Sequence, residues 1–155
     1  MTKVLGVNAV GGKLWFCLVD DGGALETEPA GLELLAGDQA GYAVEAFRDE
    51  CRRALAATAP DRVVILDLEA GGRVPKISDM RTRFTAEALM VAATVDAGVP
   101  CGRLARATLR SRLGLPRTGG IADHVTQVFA EPAGKYWAKK RDLAALAARA
   151  DLLGG

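Results

Sequence analysis

The sequence predicts an α/β protein: a mixed sheet, an antiparallel meander followed by parallel strands, with helices on its faces. Residues 3–20, KVLGVNAVGGKLWFCLVD, hold two apolar β-rich runs around Gly11-Gly12, the pattern of a hairpin. Residues 62–69, RVVILDLE, carry an unbroken apolar run from Val63 to Leu66, which suits a central strand covered on both faces. Beyond the hairpin, helical periodicity alternates with short strands, an order that adds strands in parallel and packs helices against the sheet.

The elements follow in order. The hairpin's first strand is apolar at Val4, Leu5 and Val7 and runs into the polar Asn8; its second extends from Leu14 to Val19. Asp20-Asp21-Gly22-Gly23 is a turn. Residues 24–35 supply a short third strand, marked by Pro29 as an edge or interrupted one. A loop is expected at 36–41. Over residues 42–59 Val44, Phe47, Cys51 and Leu55 recur at helical steps, leaving Arg48, Asp49, Arg52 and Arg53 on the wet face, and Pro60 follows as a stop. After the strand at 62–69, Gly71-Gly72 and Pro75 form a loop. A long helix is expected over 78–97, with Ser78 as N-cap, Met80, Phe84, Leu89, Met90 and Val91 as apolar positions, and Gly98 as stop. A further strand is placed at 99–105 and short helices at 108–113 and 121–130, around a flexible joint at 116–120. The last helix covers 138–153, with Leu143, Leu146 and Leu153 on its apolar face.

Size and composition fit one domain spanning residues 1–155. Half the residues are hydrophobic and a quarter charged, ordinary for a globular chain large enough to bury a core. The apolar runs are far shorter than the ~20 residues of a membrane span. The first residues lack the parts of a signal peptide, so a cytoplasmic location is expected. Cys17, Cys51 and Cys101 are odd in number and form no CxxC pair, which argues against a disulfide framework and a zinc site. Cys17, in an apolar strand, reads as a buried, inert thiol. Charge is unevenly spread: residues 1–69 carry 6 Lys/Arg against 12 Asp/Glu, and residues 70–120 carry 9 against 3. That basic middle suits a phosphate-bearing partner, or simply solvates helix faces.

The hairpin with Asn8, the buried strand RVVILDLE ending in carboxylates, and the long Ala-rich helix followed by a strand and a closing helix together resemble the ribonuclease H-like superfamily. The resemblance is nearest to RuvC-type resolvase nucleases and to small bacterial proteins of unknown function placed in that superfamily. It implies the mixed sheet described above and a metal-dependent phosphodiester hydrolase using Mg²⁺ or Mn²⁺. It places the candidate catalytic residues at Asn8, Asp67, Glu69 and Asp142, with Asp67 and Asp142 as metal ligands. In such proteins the position of Asn8 normally carries an aspartate, and the closing helix brings two acidic or histidine residues three positions apart; here that pair is Lys139 and Asp142.

These departures bear on the chemistry. Two-metal hydrolysis needs several carboxylates converging on ions ~3.5–4 Å apart. Mg²⁺ prefers anionic oxygen, whereas Asn8 offers a neutral carbonyl and an inward Lys139 would place an ammonium where a ligand belongs. The expected activity is weak or absent Mg²⁺-dependent cleavage, with the metal site degenerate and the metal itself open to loss. The competing reading makes Asp67 and Glu69 solvated strand-end acids and lets Asp142 serve the helix dipole. The partner expected from the resemblance is DNA or RNA, contacted through the basic middle and the closing helix: Arg73, Lys76, Arg106, Arg110, Lys135, Trp137, Lys139 and Lys140. Lys135, Lys139, Lys140 and Arg141 around Tyr136-Trp137 form a basic-aromatic cluster suited to a base and its phosphates, or else the aromatics cap the core. Arg103, Arg106, Arg110 and Arg112 read as a second phosphate-binding face, or simply as surface. His124 stands without companion ligands at metal spacing and reads as a helix-surface histidine.

Two other classes stay open. GVNAVGGKLWFCLVDDGG also resembles the phosphate-binding hairpin of actin-like ATPases and sugar kinases, although Asn8 lacks their acid and one 155-residue domain lacks their second lobe. Gly6, Gly11 and Gly12 do not spell the dinucleotide fingerprint GxGxxG. The third class is a non-catalytic dimerising or adaptor domain, a homodimer on an unaltered scaffold.

Overall fold

The computed structural model describes residues 1–35, 41–69 and 73–154. Most of the loop expected at 36–41, and Gly71-Gly72, lie outside the described residues. The chain runs β1 (Val4–Val10), β2 (Lys13–Asp20), β3 (Gly23–Leu25), β4 (Gly31–Glu33), α1 (Tyr42–Thr58), β5 (Arg62–Leu66), α2 (Ile77–Ala97), β6 (Cys101–Leu104), α3 (Arg106–Leu113) and α4 (Asp142–Gly154). A 3-10 segment (Ile121–Gln127) and an irregular turn (Trp137–Arg141) join α3 to α4. Among the described residues no helix is long and apolar enough to cross a membrane.

One mixed sheet of order β3-β2-β1-β5-β6 organises the molecule, with β4 also paired to β2. The hairpin β1–β2 is antiparallel and turns at Gly11-Gly12, while β1–β5 and β5–β6 are parallel. The predicted third strand is two short strands, β3 and β4, each antiparallel to β2. β1 therefore sits where antiparallel pairing gives way to parallel.

Strand alternation divides the core in two. Leu5, Val7, Ala9, Val63 and Ile65 face α1 and α2, where Phe47, Cys51, Ala86, Met90 and Ala93 meet them. Val4, Val64 and Leu66 face α3 and α4 with Cys17, Leu109 and Leu146. The even positions of β1 belong to this second face. Gly6 lies there against α4, so close that a Cβ would run into the Ala144 carbonyl oxygen. Ala144, Ala145, Ala147, Ala148 and Ala150 are all buried, and these small side chains let α4 lie close over the sheet. Of the three leucines expected to form the apolar face of this helix, Leu146 is buried but Leu153 is 57% exposed.

The helix boundaries show where backbone geometry overrides residue preference. α1 stops at Ala59, which adopts a left-handed conformation (φ 45°) just before Pro60. α2 stops at Gly98 (φ 70°) as expected, but its N-cap is Lys76 and not Ser78; Ser78 is already helical, and its carbonyl accepts the Thr82 hydroxyl at 3.0 Å. Phe84, expected on the apolar stripe, is 46% exposed because Ala86, Met90 and Ala93 form the buried stripe instead. Arg48 and Arg52 of α1 both reach Asp96 of α2, at 2.6 and 2.9 Å, tying the two helices at the surface.

All three cysteines are free thiols. Burial pushes the Cys17 thiol up to about 11, against the nearby Arg141 charge. Burial, reinforced by Glu50, pushes Cys51 up to about 12. A buried thiol that stays protonated is a poor nucleophile. Titration with an aromatic disulfide reagent at pH 8 is therefore expected to find Cys17 and Cys51 silent in the native protein and all three thiols reactive in denaturant. Rapid native reaction of more than one thiol would contradict the packing.

Candidate functional site

At the C-terminal ends of β1 and β5 a cleft of about 910 Å³ opens. Ligand sites of open α/β sheets sit at such strand ends, where the sheet topology switches. Asn8 to Gly11 form one wall; Leu68, Glu69, Arg73 and Pro75 form another. Asp79, Met80 and Arg83 of α2, Arg106 of α3 and Leu143 of α4 complete the lining.

Asn8 is 1% exposed, and the sheet fixes its direction. It lies on the α4 face, where its Nδ2 donates to the Lys140 carbonyl at 3.0 Å. Asp142 caps the start of α4. Its carboxylate accepts the backbone N–H of Lys139 (3.0 Å), Lys140 (2.9 Å) and Leu143 (2.7 Å). Burial raises its carboxyl above the usual carboxylate range, partly opposed by those N–H donors. Lys139 takes the left-handed conformation (φ 57°) that brings its N–H to this cap, and its side chain is exposed, so no ammonium points inward.

Asp67 goes the other way. The parallel register pairs Val7 with Ile65, so the β5 positions on Asn8's face are Val64, Leu66 and, extending the alternation, Leu68. Asp67 projects with Val63 and Ile65 toward α2 and lies 3.9 Å from Arg103. Asp67 and Asp142 are thus on opposite sides of the sheet and do not come together. Glu69, beyond the end of β5, is exposed and lines the cleft, as does Asp79 of α2. Among the described residues no three His, Cys, Asp or Glu side chains group as metal ligands.

Three arginines, Arg73, Arg83 and Arg106, share the cleft lining with two acids, Glu69 and Asp79. Arg83 is 7% exposed and Glu87 1%. They pair at 3.5 Å within α2, and Arg103 reaches Glu87 at 3.0 Å. The Arg83 Nη2 also approaches the Leu66 carbonyl at 3.4 Å, which holds the guanidinium under the cleft. Arg106 donates through Nε to the Asp67 carbonyl at 3.0 Å. Burial draws its guanidinium below the usual arginine range, while Glu69 pulls it back up. In sequence, Arg83 and Glu87 are an ordinary i,i+4 surface pair, and nothing in that spacing announces their burial.

The remaining candidates separate clearly. Arg73 lines the cleft and is exposed; Lys76 is exposed at the head of α2. Arg110 is committed to its own loop, donating to the Pro116 and Gly119 carbonyls, both at 2.6 Å. Trp137 turns inward and meets Phe129 edge-on, with centroids 5.9 Å apart. Lys135, Tyr136 and Lys140 are exposed. His124 holds the Thr118 carbonyl at 2.7 Å through Nε2, a loop contact.

No protein-family model and no curated protein matches the sequence. Solved structures do match in shape. The Thermus thermophilus RuvC structure superposes with a TM-score of 0.74 at 14% identity, covering 98% of this chain and 94% of that one. T. thermophilus RuvC in complex with Holliday junction substrate gives 0.70 at 15% identity, covering 100% and 97%. The chain has the RuvC fold. The yeast mitochondrial Holliday junction resolvase Ydc2 is more distant, with a TM-score of 0.58 at 9% identity over 99% of this chain and 77% of its own. In this sheet Asn8 on β1 and Asp142 at the head of α4 lie on one side, and Asp67, just past the end of β5, lies on the other.

Proposed function

We propose that this chain binds nucleic acid at the cleft beyond β1 and β5 and holds it without metal-dependent cleavage. The observation that carries the reading is the Asn8 carboxamide, fixed on the Lys140 carbonyl, in a cleft lined by Arg73, Arg83 and Arg106. The RuvC neighbour whose structure holds a Holliday junction supports a nucleic-acid partner. The residues present do not fit a divalent cation. Asn8 is neutral, Asp142 already accepts three N–H groups, and although Glu69 and Asp79 line the cleft, among the described residues no three His, Cys, Asp or Glu side chains group as ligands. Guanidinium groups bind phosphate oxygens directly, with no need of a bridging cation.

Fluorescence anisotropy with labelled four-way junction, duplex and single strand tests this. Binding is expected to weaken steeply with salt, to be unchanged by EDTA, and to leave the DNA intact with Mg²⁺ or Mn²⁺. No retention at low ionic strength would remove the nucleic-acid reading, and metal-dependent products would remove the non-cleaving one.

Asn8→Asp separates the two parts further. It deletes the donor to Lys140 and aims a carboxylate at a carbonyl, so a stability loss of about 2 kcal/mol is expected in urea denaturation. Cleavage is not expected to return, because Asp142 stays engaged with three backbone N–H groups and Leu66, opposite residue 8 in the strand register, is no ligand.

A further inference from the structure

Tyr136 and Trp137 are sequence neighbours with opposite parts: Trp137 enters the core, and Tyr136 is 55% exposed. The left-handed backbone of Tyr136 (φ 58°) turns its ring onto Trp15, with centroids 5.3 Å apart and planes 33° apart. Trp15 stands on β2 directly opposite Asn8, so the pair lies one strand away from the cleft and on the same face. Gly31, across from Trp15 in β4, leaves the indole room: a Cβ there would lie 3.2 Å from its Cε3. The Lys13 ammonium sits 4.7 Å from the Trp15 centroid. That of Lys140 is 5.4 Å from Trp15 and 5.9 Å from Tyr136. Neither lysine forms an ion pair among the described residues, although Glu33 faces Lys13 in the strand register.

We propose that Trp15 and Tyr136, flanked by Lys13 and Lys140, form a seat on which an unpaired nucleobase stacks. Both halves of a nucleotide are needed to use what is there. A flat π-system matches the rings, and its phosphates match the ammonium groups, which swing from the ring faces to the backbone on either side. A cationic ligand would be repelled by the lysines, a neutral sugar would leave them unused, and an acidic peptide would leave the rings unused. The cleft arginines continue the positive track one strand away. The seat rests on the nucleic-acid reading above and adds what that reading lacks, a preference for single-stranded over paired bases.

The probe is an oligothymidylate carrying one 2-aminopurine, with a duplex and an abasic chain of equal length beside it. The wild-type protein is expected to quench the 2-aminopurine and to bind the abasic chain about tenfold more weakly than the oligothymidylate. Tyr136→Asn, a residue that tolerates the left-handed backbone, is expected to lose about tenfold in single-strand affinity together with the quench. It should keep its duplex affinity and its melting temperature, and Tyr136→Phe should retain everything. Equal affinity of the wild type for the abasic chain overturns the seat whatever the variants do. Unchanged single-strand binding by Tyr136→Asn overturns it too. In both cases wild-type DNA binding survives, which distinguishes them from a failure to bind any oligonucleotide, the result that ends the nucleic-acid reading itself.

Discussion

Replacing Arg141 with methionine is expected to remove about 4 kcal/mol of stability, a large share of the ~5–15 kcal/mol that holds a typical domain folded. Arg141 is 1% exposed, among the largest fully buried side chains, and among the described residues no carboxylate pairs with it. Its guanidinium instead gathers carbonyl oxygens from separate parts of the chain. Nε donates to Phe16 at 2.8 Å, Nη2 to Leu25 at 3.2 Å, and Nη1 to Ala133 and to Lys135, the latter at 3.2 Å. Methionine fills much of the volume but returns none of those bonds, and each orphaned buried acceptor costs about 1–3 kcal/mol. Lysine keeps the charge yet lacks the planar fork, so Arg141→Lys is expected to recover only part of the loss. Guanidinium chloride denaturation of the three proteins checks the order. A methionine variant as stable as the wild type would mean that the turn leading into α4 is held against the hairpin by something else.

Gly6→Ala is expected to cost about 3 kcal/mol or more, a large effect for one methyl group. The new Cβ would overlap the Ala144 carbonyl oxygen and sit 3.1 Å from the Ala148 Cβ. The obstacle is helix backbone, so α4 as a whole must lift from β1. Gly102 is the control. It lies on β6, and an added Cβ there meets nothing within 4 Å, so Gly102→Ala is expected to change stability by less than about 0.5 kcal/mol. Thermal melts of the two variants side by side would separate a clash from a general intolerance of alanine in strands.

The scaffold was legible wherever one local signal settled it. Gly11-Gly12 between apolar runs marked the hairpin, and the apolar stretch from Val63 to Leu66 marked an interior strand. The head of the last helix was not legible. Expected at residue 138, it stands at Asp142 because Tyr136 and Lys139 adopt left-handed backbone (φ 58° and 57°), which no preference of tyrosine or lysine foretells. The site suffered from a different blindness. Whether Asp67 or Leu66 stands beside Asn8 depends on a register shift of one residue between strands more than fifty positions apart. Composition and spacing are the same for both registers. The Trp15–Tyr136 contact was hidden for the same reason, since only the closing turn brings the second ring back to the hairpin.

The position of α4 has a consequence for how the molecule is made. One side of the sheet, from Val4 and Cys17 across to Val64 and Leu66, finds most of its cover in a helix that begins at residue 142, with Leu109 of α3 beside it. During synthesis the opposite side can be shielded by α1 and α2 long before that helix leaves the ribosome. The hairpin, made long before that helix, must wait with one oily flank bare, and pairing over so long a separation is slow. Nascent chains that stop short of Asp142 would hold a half-shielded sheet, a natural client for chaperones.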